Sequence, residues 1–337
     1  MMRLALIGCG EYAEQYAGVA SRLQNAKFTA TADPDLDRAR QIAQALGASI
    51  FTGGFDELFT QHSDAIDAVL IHSTNRLHER HCQQAAETGK HVFVETPLAL
   101  STPAADAVIE ACQTAGVQLM VGQSSRFLPA VQIVKESLEI GKLGDPGLLR
   151  IHCWQSLETG DLDQPSRNAE HNGGVLFDQT LRKIDLANWL FGQLPTEIYA
   201  VGRLQSQPQL KQWDSLQVHL GFPQGGMALI DCSMTLPKGS SYSSLSMIGA
   251  QGAAYADDHH NVQLLYAGGD PSALKTGQGD GHVLAQLREF VSAVEQGRDP
   301  PISGRDGRMA LQVAEAAAES ISAARAAHLI GGRYELV

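Results

Sequence analysis

The sequence lacks several features that mark particular classes of protein. No run approaches the roughly eighteen apolar residues of a membrane span, and the N-terminal MMRLALIGCG has neither the apolar core nor the cleavage site of a signal peptide. The five cysteines form no CxxC pair and no cluster with histidine, which indicates neither a disulfide framework nor a metal site. We therefore expect a cytoplasmic protein with reduced thiols.

Positive charge is also scarce. The chain of 337 residues has a formal net charge of -12 and no basic stripe that could neutralise a phosphate backbone or an anionic membrane surface. This argues against nucleic-acid and membrane partners and leaves a small molecule as the expected ligand. Because 337 residues exceed what one hydrophobic core usually supports, we expect two domains.

The first 123 residues alternate short apolar runs with helical patterns. The runs RLALIG, KFTATAD, AIDAVLIHS, HVFVE and VQLMVGQ are continuously apolar, which is typical of strands covered on both faces in a parallel sheet. The segments between them, such as LDRARQIAQALG and HERHCQQAAETGK, are rich in helix formers and end near glycine. Residues 1–123 are therefore predicted to form a domain with a doubly wound parallel sheet.

The pattern changes after residue 123. A helix over FLPAVQIVKESLEIGKLG and a strand over LLRIHCWQS precede a polar loop, residues 158–172, and the helix VLFDQTLRKIDLANWLFG. Strand then follows strand over residues 196–267, and two helices and a terminal strand RYELV complete the pattern. Residues 124–337 are predicted to form an α+β domain with one open, mostly antiparallel sheet.

The segment IGCGEYA carries a dinucleotide-binding motif. Gly8, Gly10 and Ala13 form GxGxxA between the first strand and the first helix, where glycine permits a close approach of a pyrophosphate to the helix N-terminus. Asp33 ends the next strand, where a carboxylate can hold both ribose hydroxyls and would repel a 2'-phosphate. The motif predicts NAD in preference to NADP. The alternative is that the glycines only permit a turn and Asp33 only caps the helix that follows.

An ordered set of motifs resembles one known family over nearly the whole chain. The motifs are IGCGEYA, ADPD, STNRLH, GKHVFVETPLA, SRFLPAV, GKLG, GGVLFDQTLRKIDLANWLFG and ISGRDGRMALQVAEAAAES. The family is that of glucose-fructose oxidoreductase, inositol dehydrogenase and rhizopine catabolism proteins (Gfo/Idh/MocA). The resemblance implies that residues 1–123 form an NAD(P)-binding Rossmann domain and that residues 124–337 form a substrate and oligomerisation domain with a large open sheet. It also implies cofactor-binding roles for Ser73, Asn75, His78, Glu95 and Pro97.

Two of the three catalytic groups that the resemblance implies are replaced. The family's Glu-Lys-Pro reads Glu-Thr-Pro here, so Thr96 stands where a lysine usually reaches the substrate hydroxyl. In the motif that usually reads Asp-x-Gly-x-His, Asp178 is retained but Arg182 replaces the histidine. Neither replacement can act as the base that accepts the hydroxyl proton. A threonine hydroxyl is too weak an acid to lose its own proton first, and a guanidinium stays protonated.

Other polar side chains are candidates for the missing chemistry. His72 ends the fourth strand, where a neutral imidazole either faces the nicotinamide or packs in the sheet with one hydrogen bond. Asp178, Arg182 and Asp185 share a helix face, which is either a site wall or a structural ion pair. His171 either reaches substrate or is solvated.

Three classes of function remain open. The first is an NAD-dependent oxidoreductase of sugars, cyclitols or sugar acids, in which Arg182 would suit an anionic substrate. The second is a dinucleotide-binding sensor without turnover, and the third is a lyase or isomerase that uses bound NAD transiently. The retained glycine loop, Asp33, Glu95 and Asp178 favour the first. The broad open sheet predicts a homodimer or homotetramer joined through that sheet.

Overall fold

The computed structural model describes residues 1–10, 12–156, 173–204, 213–257, 262–266, 272–275 and 280–337. The chain forms two compact units, of which the first contains Met1–Phe127 and Gly279–Arg308 and the second contains Leu128–Gln278 and Met309–Val337. The domain boundary after residue 123 stays a prediction. His171 and the polar loop around it lie outside the described residues.

The first unit contains a six-stranded parallel sheet in the order β3-β2-β1-β4-β5-β6. The strands are β1 (Met2–Ile7), β2 (Ala26–Ala32), β3 (Ile50–Thr52), β4 (Ala68–Ile71), β5 (His91–Glu95) and β6 (Leu119–Gly122). This confirms the predicted doubly wound sheet. The order reverses between β1 and β4, which is the switch point where open α/β sheets bind ligands.

Nine α-helices are described. They are α1 (Ala13–Ala20), α2 (Leu36–Leu46), α3 (Phe55–His62), α4 (His78–Glu87), α5 (Thr102–Ala115), α6 (Pro129–Glu139), α7 (Leu181–Phe191), α8 (Gly281–Gln296) and α9 (Gly304–Ala323). Local sequence explains their ends. Ser101 caps α5 by accepting the N–H of Ala104, and Gly116 ends this helix in the left-handed conformation that glycine adopts without strain.

The core of the first unit is built on its continuously apolar strands. All four residues of β4 are buried, as expected for a strand covered on both faces. Phe93 of β5 and Phe290 of α8 are fully buried and meet edge to face, with ring centroids 5.7 Å apart. A helix that is distant in sequence therefore completes this core.

The second unit contains a ten-stranded sheet in the order β14-β13-β12-β11-β7-β10-β9-β8-β15-β16. The strands are β7 (Pro146–Gln155), β8 (Glu197–Arg203), β9 (Ser215–Gly221), β10 (Met227–Ser233), β11 (Ser241–Gly249), β12 (Ala253–Asp257), β13 (Val262–Tyr266), β14 (Ser272–Lys275), β15 (Ala327–Ile330) and β16 (Arg333–Leu336). β7 and β10 are parallel, and the other neighbouring pairs are antiparallel. The predicted open, mostly antiparallel sheet is confirmed.

The two faces of this sheet differ. Along β9, Leu216, Val218 and Leu220 are buried, whereas Gln217 and His219 between them are exposed. α7 lies against β7 and β10, and the Ser320 hydroxyl of α9 accepts the N–H of Ala200 in β8. The opposite face carries large exposed apolar side chains, which include Tyr199, Met227, Ile248 and Tyr266.

Three general expectations concern cysteines, metals and membranes. All five cysteines are buried and free of disulfide bonds. Within the described ranges, no group of three or more His, Cys, Asp or Glu side chains is placed to hold a metal ion. No helix in the described part of the chain is both long and apolar enough to cross a membrane.

Candidate functional site

The loop after β1 contains two glycines that the fold uses differently. Gly8 has a φ of +94°, and a β-carbon there would lie 2.4 Å from the backbone oxygen of His72. Glycine at position 8 is therefore required by the approach of the backbone that follows β4. A β-carbon on Gly10 would meet no atom within 4 Å. The space beside Gly10 is open, so the fold alone does not require a glycine there.

Asp33 ties the end of β2 to this glycine loop. One carboxylate oxygen accepts the N–H of Cys9 at 2.8 Å, and the other accepts the N–H of Asp35 at 2.8 Å. Asp35, rather than Asp33, caps α2, because its side chain accepts the N–H groups of Asp37 and Arg38. Each oxygen of Asp33 retains a second acceptor direction, which a ribose hydroxyl could use.

Two tyrosines that the sequence reasoning did not identify, Tyr12 just before α1 and Tyr16 within it, lie beside His72. The half-buried imidazole lies edge-on to the rings of Tyr12 and Tyr16, with centroids 6.1 and 5.9 Å away. The Tyr16 hydroxyl donates a hydrogen bond to the carboxylate of Glu95 at the end of β5. His72 thus lies between two rings at the switch point, and its role toward a nicotinamide stays a prediction.

The Glu-Thr-Pro turn after β5 is built into the sheet edge. A β-carbon on Gly122, the register partner of Glu95 in β6, would lie 2.9 Å from the carboxyl carbon of Glu95. Gly122 therefore makes room for this carboxylate. Thr96 is buried, and its hydroxyl oxygen accepts a hydrogen bond from the side-chain amide of Gln123 at 3.2 Å. The peptide bond between Thr96 and Pro97 is cis.

Two buried histidines of α4 bond to the loops that follow β4 and β5. His78 Nε2 lies 2.9 Å from the carbonyl oxygen of Ser73, and its Nδ1 lies 2.7 Å from that of Pro97. His81 Nδ1 lies 2.9 Å from the Ser73 hydroxyl. Burial lowers the pKa of His78 and lowers that of His81 to about 4. Asn75 is half-buried at the start of the short 3-10 turn that leads into α4.

A buried ion pair after β6 also escaped the sequence reasoning. The guanidinium of Arg126 lies 3.1 Å from one carboxylate oxygen of Asp306, and the Arg126 side chain is only 5% exposed. The other oxygen of Asp306 accepts hydrogen bonds from the backbone N–H and the hydroxyl of Ser303. This pair fixes the start of α9 to the end of the parallel sheet.

In the second unit, Asp178 and Arg182 flank a change of helix geometry. Leu176–Thr180 forms a π-helical turn that continues into α7. Asp178 is half-buried and accepts a hydrogen bond from Gln179 at 2.9 Å, whereas Asp185 is fully buried. The predicted shared face of Asp178, Arg182 and Asp185 assumed a regular α-helix. A π-turn is wider than an α-helical turn, so the shared face stays a prediction. Such turns are frequent at functional sites, which agrees with a functional role for this segment.

Two family models together match most of the chain. The model described as "Oxidoreductase family, NAD-binding Rossmann fold" matches residues 2–123, and the model described as "Oxidoreductase family, C-terminal alpha/beta domain" matches residues 135–329. The two sheets lie within the ranges of these models, apart from the last residue of β15 and the whole of β16.

Named relatives have different activities. The scyllo-inositol 2-dehydrogenase (NAD+) of Bacillus subtilis is 28% identical over 329 residues, which cover 95% of this chain and 94% of that protein. The 2,7-anhydro-N-acetylneuraminate hydratase of Escherichia coli is 27% identical over 274 residues, which cover 80% and 71%. An oxidoreductase from Agrobacterium radiobacter, solved with NAD+, L-tartaric acid and magnesium, matches with a TM-score of 0.87 at 22% identity and covers 97% of this chain and 98% of that one. The last likeness shows a common fold.

Proposed function

The chain belongs to the Gfo/Idh/MocA oxidoreductase family, and on that basis we propose that it transfers a hydride between NAD and a sugar, cyclitol or sugar acid. The proposed binding of NAD is supported by the open space beside Gly10, which lies at the N-terminal end of α1. Because a β-carbon would fit at position 10, the fold itself does not require a glycine there. A backbone free of side chains beside a helix N-terminus suits a pyrophosphate. The carboxylate of Asp33 at the end of β2 suits an adenosine ribose and favours NAD over NADP.

The residues of the first unit divide between the two halves of the dinucleotide. The glycine loop and Asp33, which follow β1 and β2, would hold the adenosine diphosphate half. Ser73 and Asn75 follow β4, Glu95 ends β5 and Pro97 follows it. All four lie at the same carboxyl edge of the sheet and would border the nicotinamide half. When bound, NAD supplies a hydride acceptor. The protein's part is to bind, to orient and to move the hydroxyl proton.

The two glycines give a matched test of cofactor binding. Gly10→Ala should fold like the parent but bind NAD at least about tenfold more weakly, because the new methyl group occupies the space proposed for the pyrophosphate. Gly8→Ala should lower the thermal midpoint, because its β-carbon collides with the backbone at His72. Calorimetry and thermal denaturation separate the two effects. Unchanged NAD affinity in Gly10→Ala would remove the glycine loop from the cofactor site.

The choice of dinucleotide is tested at Asp33. The parent should bind NAD more tightly than NADP, and Asp33→Ala should narrow the difference because it removes both the ribose acceptor and the repulsion of a 2'-phosphate. Calorimetry with both dinucleotides measures the ratio. Equal affinity in the parent would exclude the ribose role, and failure to bind either dinucleotide would exclude the proposed function.

We propose that the substrate is anionic and that Arg182 pairs with its carboxylate. The planar guanidinium suits a carboxylate, and the residue stands where the family resemblance implies a histidine. Parental NADH formation from a sugar acid should fall sharply in Arg182→His, because an unpaired buried carboxylate costs about 2 to 5 kcal/mol. Arg182→Lys is the control, since it keeps the positive charge but loses the planar guanidinium that can bond both carboxylate oxygens. A parent that oxidises polyols and aldoses but no sugar acid would contradict this assignment.

Restoring the family's catalytic pair distinguishes an enzyme from a sensor. If turnover has been lost, the double change Thr96→Lys with Arg182→His should create activity on polyols where the parent has none. If the parent is an enzyme for an anionic substrate, the same change should abolish that activity. A parent that binds NAD tightly and turns over nothing on a panel of polyols, aldoses and sugar acids would favour a sensor.

A second candidate function is a lyase or isomerase reaction with transient use of NAD. It is favoured by the likeness to a protein whose name is that of a hydratase rather than a dehydrogenase. Such a protein would convert its substrate without net accumulation of NADH. Mass spectrometry of the product, with the absorbance of NADH recorded in parallel, distinguishes this reaction from a dehydrogenase reaction. Product without NADH supports the hydratase-like reaction, and stoichiometric NADH supports the dehydrogenase.

We also propose that the chain assembles as a homodimer or homotetramer through the open face of the ten-stranded sheet. Exposed apolar side chains such as Tyr199, Met227 and Ile248 lie on that face, and large exposed apolar patches mark interaction surfaces. Met227→Glu should shift the assembly toward monomer in light scattering. A monomeric parent at micromolar concentration would contradict the proposal.

A further inference from the structure

The two histidines of α4 connect the loop after β4 to the turn after β5. They are three residues apart, so they project from one side of the helix. His78 lies within hydrogen-bonding distance of the Ser73 and Pro97 carbonyl oxygens, at 2.9 and 2.7 Å, and His81 lies 2.9 Å from the Ser73 hydroxyl. Ser73 is thus held by its backbone and by its side chain.

The ring of His78 acts as a rigid spacer. Its two nitrogens face two carbonyl oxygens, and the residue is 1% exposed. Because a neutral imidazole carries one N–H, the ring donates to one of these oxygens and lies against the other. A flexible side chain would lose more rotamer entropy if it contacted both loops at once. His72 and Glu95 are the titratable neighbours whose charges influence this imidazole. The separation of the two loops therefore depends on the width of one buried ring.

The second histidine is held by packing as well as by its hydrogen bond. The His81 ring stacks on Phe55 of α3, with centroids 4.5 Å apart and planes 2° apart, and Phe55 stacks in turn on Phe59. The imidazole is therefore fixed in the direction that faces Ser73. An aromatic replacement can keep this stack while it removes the nitrogen.

Both held loops lie on one side of the switch point. β4 and β5 are neighbours, whereas Gly10 and Asp33 follow β1 and β2 on the other side. In a doubly wound sheet the two halves of a dinucleotide lie on opposite sides of this point. The histidines therefore touch loops on the nicotinamide side of the switch point, and the loop after β4 also lies against Gly8.

We propose that His78, supported by His81, is a positioning residue that sets the spacing of the loops after β4 and β5 for the nicotinamide ring of NAD, without affecting binding of the ADP-ribose part. This rests on the proposed binding of NAD. It predicts that changes at these histidines weaken NAD binding while binding of ADP-ribose, which lacks the nicotinamide, stays as in the parent. A purely structural role would affect both ligands together.

The test compares NAD+ and ADP-ribose by calorimetry in the full chain. His78→Leu, which cannot bond to either carbonyl, should weaken NAD+ binding about tenfold and change ADP-ribose binding less than about twofold. His78→Gln should recover most of the loss, because one amide group carries two N–H donors. His81→Phe, which keeps the stack on Phe55, should weaken NAD+ binding alone by roughly threefold.

The outcomes separate this inference from the function on which it rests. A parent that binds neither ligand overturns NAD binding itself, whatever the variants do. Equal losses for NAD+ and ADP-ribose, or parental affinity in both His78→Leu and His81→Phe, overturn the positioning role alone. If His78→Leu does not fold, parental NAD+ affinity in His81→Phe overturns the role, and selective loss supports it.

Discussion

Acidification should destabilise the first unit through His81. Burial, together with the neighbours His78 and Arg80 and opposed by Asp56, lowers the pKa of this imidazole from 6.5 to about 4. Between these two pH values the unfolded chain binds a proton that the folded chain does not. The free energy of unfolding therefore falls as the pH falls through this window and recovers above about pH 6.5.

The size of the effect follows from the two pKa values. A difference of about 2.5 between 6.5 and about 4 corresponds to about 3 kcal/mol. Most of that loss should be complete near pH 4. The pKa of the fully buried His78 is lowered as well, so it adds a loss of the same sign. Against a typical total of about 5 to 15 kcal/mol, such a loss is readily measured.

Urea unfolding curves between pH 4 and pH 7.5, on the order of six values, would test this. Far-UV circular dichroism is the suitable probe, because all three tryptophans lie in the second unit. The parent should lose stability steadily below about pH 6.5, and His81→Phe should lose measurably less over the same range. His219→Gln, at an exposed position on β9, should follow the parent. An identical pH dependence in the parent and in His81→Phe would refute the reasoning.

Three further predictions concern other parts of the first unit. Asp306→Ala should lower the free energy of unfolding by about 3 kcal/mol in urea denaturation, because the buried Arg126 loses its carboxylate partner. Tyr16→Phe should cost about 1 kcal/mol in the same assay, because Glu95 loses a hydroxyl donor. The native thiols should react slowly with a disulfide reagent and rapidly in urea, because all are buried and burial raises the pKa of Cys9 to about 12.

Each of these has a control. Asp37→Ala, at an exposed position of α2, should leave the free energy of unfolding close to that of the parent. An equal loss in Asp37→Ala would show that the effect of Asp306→Ala does not come from the buried ion pair. Tyr12→Phe, at a residue just before α1 that is 41% exposed, is the control for Tyr16→Phe and should leave the free energy of unfolding close to that of the parent. Rapid stoichiometric labelling of thiols in the native protein would contradict the burial argument.

Much of the parallel sheet could be predicted, because its strands carry their own local signals. HVFVE was expected as a strand and β5 is His91–Glu95, bounded by a polar residue on one side and a proline turn on the other. β3 was not predicted, because three residues are too few to show a periodicity. The sequence DPDLD offers more than one carboxylate as a helix cap, and only the structure distinguishes Asp35 from Asp33.

The parts of the candidate site that escaped prediction are long-range contacts. Tyr16 and Glu95 are 79 positions apart in the chain, and Arg126 and Asp306 are 180 apart, so no local pattern links them. The π-turn before α7 adds a residue to a helix without any distinctive composition. Residue types at motif positions predict which loops matter, whereas side-chain pairing between those loops depends on the three-dimensional packing.

The late arrival of α8 in the core of the first unit has a consequence for biosynthesis. Phe93 leaves the ribosome long before its buried partner Phe290, because the whole of residues 128–278 is made between the two segments of this unit. At roughly 5 to 20 residues per second, that interval is on the order of ten seconds. During it the nascent sheet exposes an apolar surface meant for α8. The chain should therefore depend on chaperones that shield nascent chains more than a protein whose first domain is continuous.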